Sequence, residues 1–192
     1  MNINPFDELT ELKLSPLPEQ VVALCNELNA PPRLTAHLIL VHSVAIELIN
    51  DFTSKCPKLR INKEEITFGA ATHDIGKAVF REELSEAGNK HESEGYKILK
   101  QRNISSKMAR FTKTHTKWKH GQSITLEDLF VALADNCWKG KRDDELEILL
   151  SKRIAHQTGE EDWSIYIVID DILQEITSAA PKRLIWQAKY SP

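Results

Sequence analysis

Seven histidines (His37, His42, His73, His91, His115, His120 and His156) are the side chains in this sequence best suited to chemistry. His73 is followed directly by Asp74 in FGAATHDIGKAVF, residues 68–80, where a small apolar segment runs into the pair. Asp135 lies inside the apolar stretch VALADNCW. Buried without a partner, a carboxylate there would cost several kcal/mol, so it must pair with a cation, accept hydrogen bonds or bind a metal. Taken singly, each aspartate is as well explained as an exposed or capping group, and His73 as a satisfied core histidine. Taken together, imidazole and carboxylate donors without cysteine suit hard or borderline divalent ions such as Mn, Fe, Mg or Zn. Neighbouring residues on a helix point about 100° apart. His73 and Asp74 can therefore touch two sides of one ion, or one of them can bridge two ions. A site of this kind activates water and neutralises phosphoryl oxygens.

Cations stand close to these groups. Lys77 follows the pair by three residues, and Lys139, Lys141 and Arg142 follow Asp135 in DNCWKGKRDD. That run is either a solvated face or a set of holders for anionic substrate oxygens. Arg110 and Lys113, ahead of His115, offer the same chemistry, whereas Arg33 is as readily paired with a carboxylate. Cys137, two residues after Asp135, has no base beside it and reads as core.

The elements that must position these groups are helices. Val22, Cys25 and Leu28 share one helical face in residues 19–29, and Pro31-Pro32 stops that segment and starts the next, about Arg33 to Phe52. Asn62 with Glu65 three residues on predicts a capped helix ending near Asp74, with Gly76 as its terminator. Further helices are expected from Asn89 or Lys90 to Leu99, from Ser105 to about His115, from the Thr125–Asp128 capping pattern through Trp138, and over residues 143–156 and 163–177. No segment alternates as a strand would, and the β-branched run Ile165–Ile169 has helical flanks. The expected class is all-α, a bundle of about seven to eight helices. Residues 1–18, with three prolines, read as an extended arm, residues 19–180 as a single domain, and residues 181–192 as a tail on the body or on a partner.

Composition narrows the classes. A chain of 192 residues that is 41% apolar supports one core. A net charge of -3 gives no global basic field, so bulk nucleic acid is not an expected partner. The longest apolar run, Leu38–Val41, is broken by His42, and no membrane association is expected. Three scattered cysteines and an acidic start without a leader pattern point to reduced thiols and a cytoplasmic protein. The aromatic tail RLIWQAKY suits a homo-oligomer contact.

His73-Asp74-Ile75-Gly76-Lys77 resembles the signature of the HD superfamily of metal-dependent phosphohydrolases. That family's pattern is a first histidine on one helix, the His-Asp pair on the next, and a distal aspartate later. Members with two metals add two histidines between. His91 in HESEG resembles the HPxxG element of the two-metal phosphodiesterases, His115 supplies the next histidine and Asp135 the distal aspartate, so the resemblance spans about residues 33–142. For the first histidine, His37 matches better than His42, because Val41 and Ala45 follow it at four and eight residues. The two histidines point about 140° apart on a helix and cannot both face one ion. His42 is then a cleft-wall residue or the alternative ligand. His115 is preferred to His120, which lies in a polar loop, and His156 falls beyond the matching region.

The resemblance implies an HD helical bundle and one or two divalent ions (Mn, Fe, Mg, Zn, Ni or Co). The first would be held by His37, His73, Asp74 and Asp135, and Asp74 would bridge to a second on His91 and His115. It implies hydrolysis of a nucleotide or other small phosphoester by metal-activated water; with that chemistry, Asp74 and Lys77 are the expected catalytic residues, and Lys77, Lys139, Lys141 and Arg142, by their closeness to the pair and to Asp135, the expected holders of the substrate. Relatives with the same ligand set run as di-iron oxygenases, and a binding module without turnover is the third class. The glycine-tyrosine-proline element of cyclic-di-GMP phosphodiesterases is missing after His115, which lowers the weight of cyclic dinucleotides.

Overall fold

The computed structural model describes residues 4–119 and 123–191, so His120 lies outside the described residues. Among them there is no strand, and ten α-helical segments carry the fold. These are α1 Glu19–Glu27, α2 Pro32–Lys55, α3 Lys63–Thr72, α4 Lys90–Gln101, α5 Ser106–Ala109, α6 Phe111–Thr114, α7 Leu126–Cys137, α8 Asp144–Thr158, α9 Asp162–Ser178 and α10 Ala180–Gln187. The chain is all-α, as its periodicity predicts.

The helix starts follow local chemistry. Pro32 sits in the first turn of α2, where its missing N–H costs nothing. The Asn62 carboxamide accepts from Glu65 N at 3.1 Å and opens α3. Thr125 and Asp128 form a reciprocal capping box on α7, and Asp143 caps α8. Gly159, at φ 75°, ends α8 in the left-handed conformation that glycine adopts without strain.

Helix α2 is the centre of the bundle. Leu38, Ile39, Leu40, Val41, Val44, Ala45 and Leu48 are all fully buried. Each large aliphatic side chain so enclosed stabilises the fold by about 1.5–3 kcal/mol. Contrary to the sequence reading, α2 is long and apolar enough to cross a membrane, but 72% of its apolar window is buried inside the fold, which accounts for that composition. Helices α3, α7, α9 and α10 pack around it. Small residues let α3 approach its neighbours: a Cβ added at Gly69 would meet the Phe111 ring at 2.5 Å.

Several boundaries differ from expectation. Helix α3 stops at Thr72, His73 and Asp74 form a turn, and Ile75–Ala78 is a 3₁₀ turn. Gly76 is not a left-handed terminator. Its role is close approach, because a Cβ there would lie 2.1 Å from the His91 carbonyl oxygen. The helix expected from Ser105 to His115 is two single turns, α5 and α6, joined at Arg110. The guanidinium of Arg110 donates to Asp128 Oδ1 at 3.0 Å, Glu65 Oε2 at 2.8 Å and Thr125 Oγ1 at 3.1 Å, tying α3, α6 and α7 together, so it is a structural residue and not an anion holder. The N-terminal segment contains 3₁₀ turns at Pro5–Asp7 and Leu9–Leu12, and its Leu14 and Leu17 are buried. The tail aromatics face inward: Trp186 and Tyr190 are buried, their rings stack edge-on at 5.0 Å, and the Tyr190 hydroxyl donates to Glu8 Oε2 at 3.1 Å.

Candidate metal centre

Six of the predicted side chains converge from five places in the chain. His37 comes from the second turn of α2, His73 and Asp74 from the turn after α3, His91 from the first turn of α4, His115 from the end of α6, and Asp135 from the last turn of α7. They form two groups, His37–His73–Asp135 and Asp74–His91–His115, each with ligand atoms within 4.8 Å of one another. Asp74 joins the groups through its two oxygens. Oδ2 lies 3.1 Å from His37 Nε2 and 3.6 Å from His73 Nε2. Oδ1 lies 3.1 Å from His91 Nε2 and 3.5 Å from His115 Nε2. Asp135 Oδ1 completes the first group, 3.5 Å from His37 Nε2 and 3.6 Å from His73 Nε2.

The imidazoles are oriented by their far nitrogens. His73 Nδ1–H donates to Ala70 O at 2.9 Å, His91 Nδ1–H to Glu83 Oε2 at 2.6 Å, and His115 Nδ1–H to Phe111 O at 3.0 Å. Each acceptor is a bare oxygen, so the proton sits on Nδ1 and the Nε2 lone pair faces the centre, the arrangement that outer hydrogen bonds impose on metal-binding histidines. Asp74 Oδ1 and His91 Nε2 are buried and have no hydrogen-bond partner. Leaving such groups unsatisfied is costly, and a cation held between them satisfies both. The residues present therefore fit a metal.

Electrostatics agree. Burial alone would raise the Asp74 and Asp135 carboxyls, but the surrounding imidazoles and the ammoniums of Lys77 and Lys139 outweigh it and hold both well below the usual carboxylate range. Burial lowers His37 despite Asp74, and burial with the neighbouring His73 lowers His115 to about 4. Both rings are then neutral donors near pH 7. His73 goes the other way, because Asp74 and Asp135 outweigh its burial.

The other predicted residues divide. Lys77 Nζ is 2.7 Å from Asp74 Oδ2 and lines the cleft above the centre. Lys139 Nζ is 4.0 Å from Asp135 Oδ1 and lines it too. Lys141 is exposed and is not among the cleft residues. Arg142 is turned away: it donates to Glu147 Oε1 at 2.8 Å and Asp170 Oδ1 at 2.8 Å, between α8 and α9. His42 is buried with Nδ1 3.0 Å from Thr67 O and belongs to neither ligand group. Lys113 lies over the Tyr96 ring at 3.9 Å, and His156 is exposed.

Other residues of the site carry no motif. Glu83 accepts from His91 Nδ1 and also from the backbone N–H of Lys90 and His91, at 3.0 and 3.1 Å. Glu92, where HPxxG has proline, accepts from Thr116 Oγ1 at 2.6 Å and from Lys117, anchoring the segment after His115. Trp138 packs edge-on against His37 at 5.3 Å. Only the position of Glu92 beside His91 gives any hint in the sequence.

The family model of the HD domain matches residues 34–138. The chain belongs to the HD family. HD proteins are mostly metal-dependent hydrolases built on an all-helical fold, and both the candidate ligand groups and the helical bundle described above agree with that membership. No curated protein matches, nor does any solved structure.

Proposed function

We propose that this HD protein is a phosphohydrolase that cleaves a nucleotide or another small phosphoester. The observation that carries the reading is the division of the Asp74 carboxylate between two imidazole groups, with Oδ1 an orphaned buried acceptor. His37, His73, Asp74 and Asp135 would hold one divalent ion, and Asp74, His91 and His115 a second. Such ions lower the pKa of coordinated water and neutralise charge developing on phosphoryl oxygens.

The chain's own residues do the rest. Nδ1 hydrogen bonds fix three imidazoles before any ligand arrives, so little reorganisation is needed on binding. Lys77 brings a positive charge to the edge of the centre, where a phosphoryl oxygen would lie. Trp138, buried against His37, keeps that wall dry and strengthens charge interactions inside it. Cys137 is fully buried, burial pushes its thiol up, and it does not serve as a nucleophile.

The test is metal content by mass spectrometry of the wild type beside Asp74→Ala and His91→Ala, with phosphate release from a panel of phosphomonoesters and phosphodiesters under each divalent ion. Bound metal with hydrolysis, both lost in D74A, supports the reading. A folded wild type that binds no metal after incubation with Mn, Fe, Mg or Zn sinks it. Iron with oxygen uptake and no hydrolysis replaces it with oxygenase chemistry.

A further inference from the structure

The cleft over the centre encloses about 380 Å³. Three of its lining residues, Arg33, Lys139 and Gln187, fall outside the span matched to the HD family. Arg33 stands one helical turn before His37 on α2, and Lys139 follows Asp135 by four residues, in the turn just past the end of α7. His37 and Asp135 touch at 3.5 Å, so the start of α2 and the end of α7 meet on one side of the centre. Four residues of helix advance about 6 Å. Arg33 and Lys139 both line the cleft on that side, Arg33 one turn ahead of His37 and Lys139 with its Nζ 4.0 Å from Asp135 Oδ1.

Arg33 is half-buried yet makes no ion pair and no side-chain hydrogen bond among the described residues. Its backbone is pinned, with N–H donating to Ser191 O at 3.0 Å. Gln187, buried on α10, adds an amide to the same cleft. Of the other lining carboxylates, Glu83 is engaged by His91 and Glu86 is exposed on the wall that carries it. A single phosphoryl group held by two ions and Lys77 leaves the charge of Arg33 without a counterpart, while Lys139 meets only Asp135, at 4.0 Å and partly exposed.

We propose that Arg33 and Lys139, with Gln187 beside them, form a second anion subsite, so that the substrate carries a phosphate or carboxylate several ångströms from the phosphoryl group being cleaved. This rests on the phosphohydrolase reading for the reaction, but not for the binding.

The experiment is calorimetry on the metal-loaded full chain with two non-hydrolysable probes, propylphosphonate and propane bisphosphonate. The wild type is expected to bind the bisphosphonate at least about tenfold more tightly, the scale of one charge-assisted contact. Arg33→Gln and Lys139→Gln each bring that ratio toward one. Arg33→Lys keeps part of it, since charge survives while the planar fork is lost. Unfolding midpoints checked alongside show that each variant folds. A wild-type ratio near one, or a ratio that neither glutamine variant moves, overturns the subsite. Phosphate release from propyl phosphate and propanediol bisphosphate is followed in parallel. Preference for the bisphosphonate without any turnover removes the hydrolase reading and leaves the subsite standing. Turnover of both esters at equal kcat/KM, with a ratio near one, does the reverse.

Discussion

Gly76 is the residue on which the second half of the centre turns. A Cβ at this position would lie 2.1 Å from His91 O, 2.7 Å from Gly95 N and 2.8 Å from the His91 carbonyl carbon, all of them backbone atoms that no rotamer change can move aside. To reach the 3.4 Å of ordinary contact, the first turn of α4 must retreat by about 1.3 Å. His91 travels with it. Metal sites tolerate ligand distances within about 0.2 Å, so the shift removes His91 from any shared site with Asp74. Overpacking against rigid backbone costs about 3 kcal/mol, near the upper end for such changes. At about 2–4 °C per kcal/mol for a domain of this size, Gly76→Ala should lower Tm by about 6–12 °C. The assay is thermal unfolding paired with metal content. Gly95→Ala is the companion, because its nearest contact is the Thr112 methyl at 3.1 Å and its effect should be smaller. A G76A protein with wild-type Tm and wild-type metal content would refute the reasoning.

Glu83→Gln keeps the shape but loses the carboxylate that orients His91; metal analysis should show weaker retention at the Asp74–His91–His115 group, about 10–100-fold in affinity, with the other group less affected. His37→Ala should strip metal whereas His42→Ala should lower stability and leave metal in place, read by mass spectrometry beside thermal unfolding. Arg142→Ala should cost about 3 kcal/mol in denaturant unfolding, because it leaves Glu147 buried without its cation, and should not change KM for a phosphoester. Glu65 is driven up by burial, but Lys107 and Arg110 outweigh this and hold it below its ordinary value. Its contribution is therefore complete above the unfolded carboxyl range and is lost as pH falls through the lower folded pKa, so Tm of the wild type should fall more steeply below about pH 5 than Tm of Glu65→Gln.

Helical class was legible because 3.6-residue periodicity and side-chain caps are local: Asn62 and the Thr125–Asp128 box open α3 and α7 where the sequence places them. The His and Asp set was legible because residue type and order carry it. The choice between His37 and His42 needed the fold, since only packing shows that His42 spends its Nδ1 on Thr67 O. Glu83 was not legible, because a 3₁₀ segment rather than a periodic element brings it to His91. Arg142 was misplaced for a backbone reason. Gly140, at φ 83°, turns the chain just after Lys139, so adjacent cations face different ways: Lys139 into the cleft, Arg142 onto α8 and α9.

The six ligands are drawn from α2, α4, α6, α7 and the turn after α3, and only His73 and Asp74 are neighbours in the chain. An unfolded chain therefore presents nothing better than isolated imidazoles and carboxylates, and cation affinity exists only once the bundle has docked. By mass action, a ligand that binds only the native state adds its binding free energy to folding, about 2.7 kcal/mol at a free concentration one hundred times its Kd. Divalent-ion supply would then set how long the protein survives proteolysis. Chelation would shorten its lifetime even where no substrate is present.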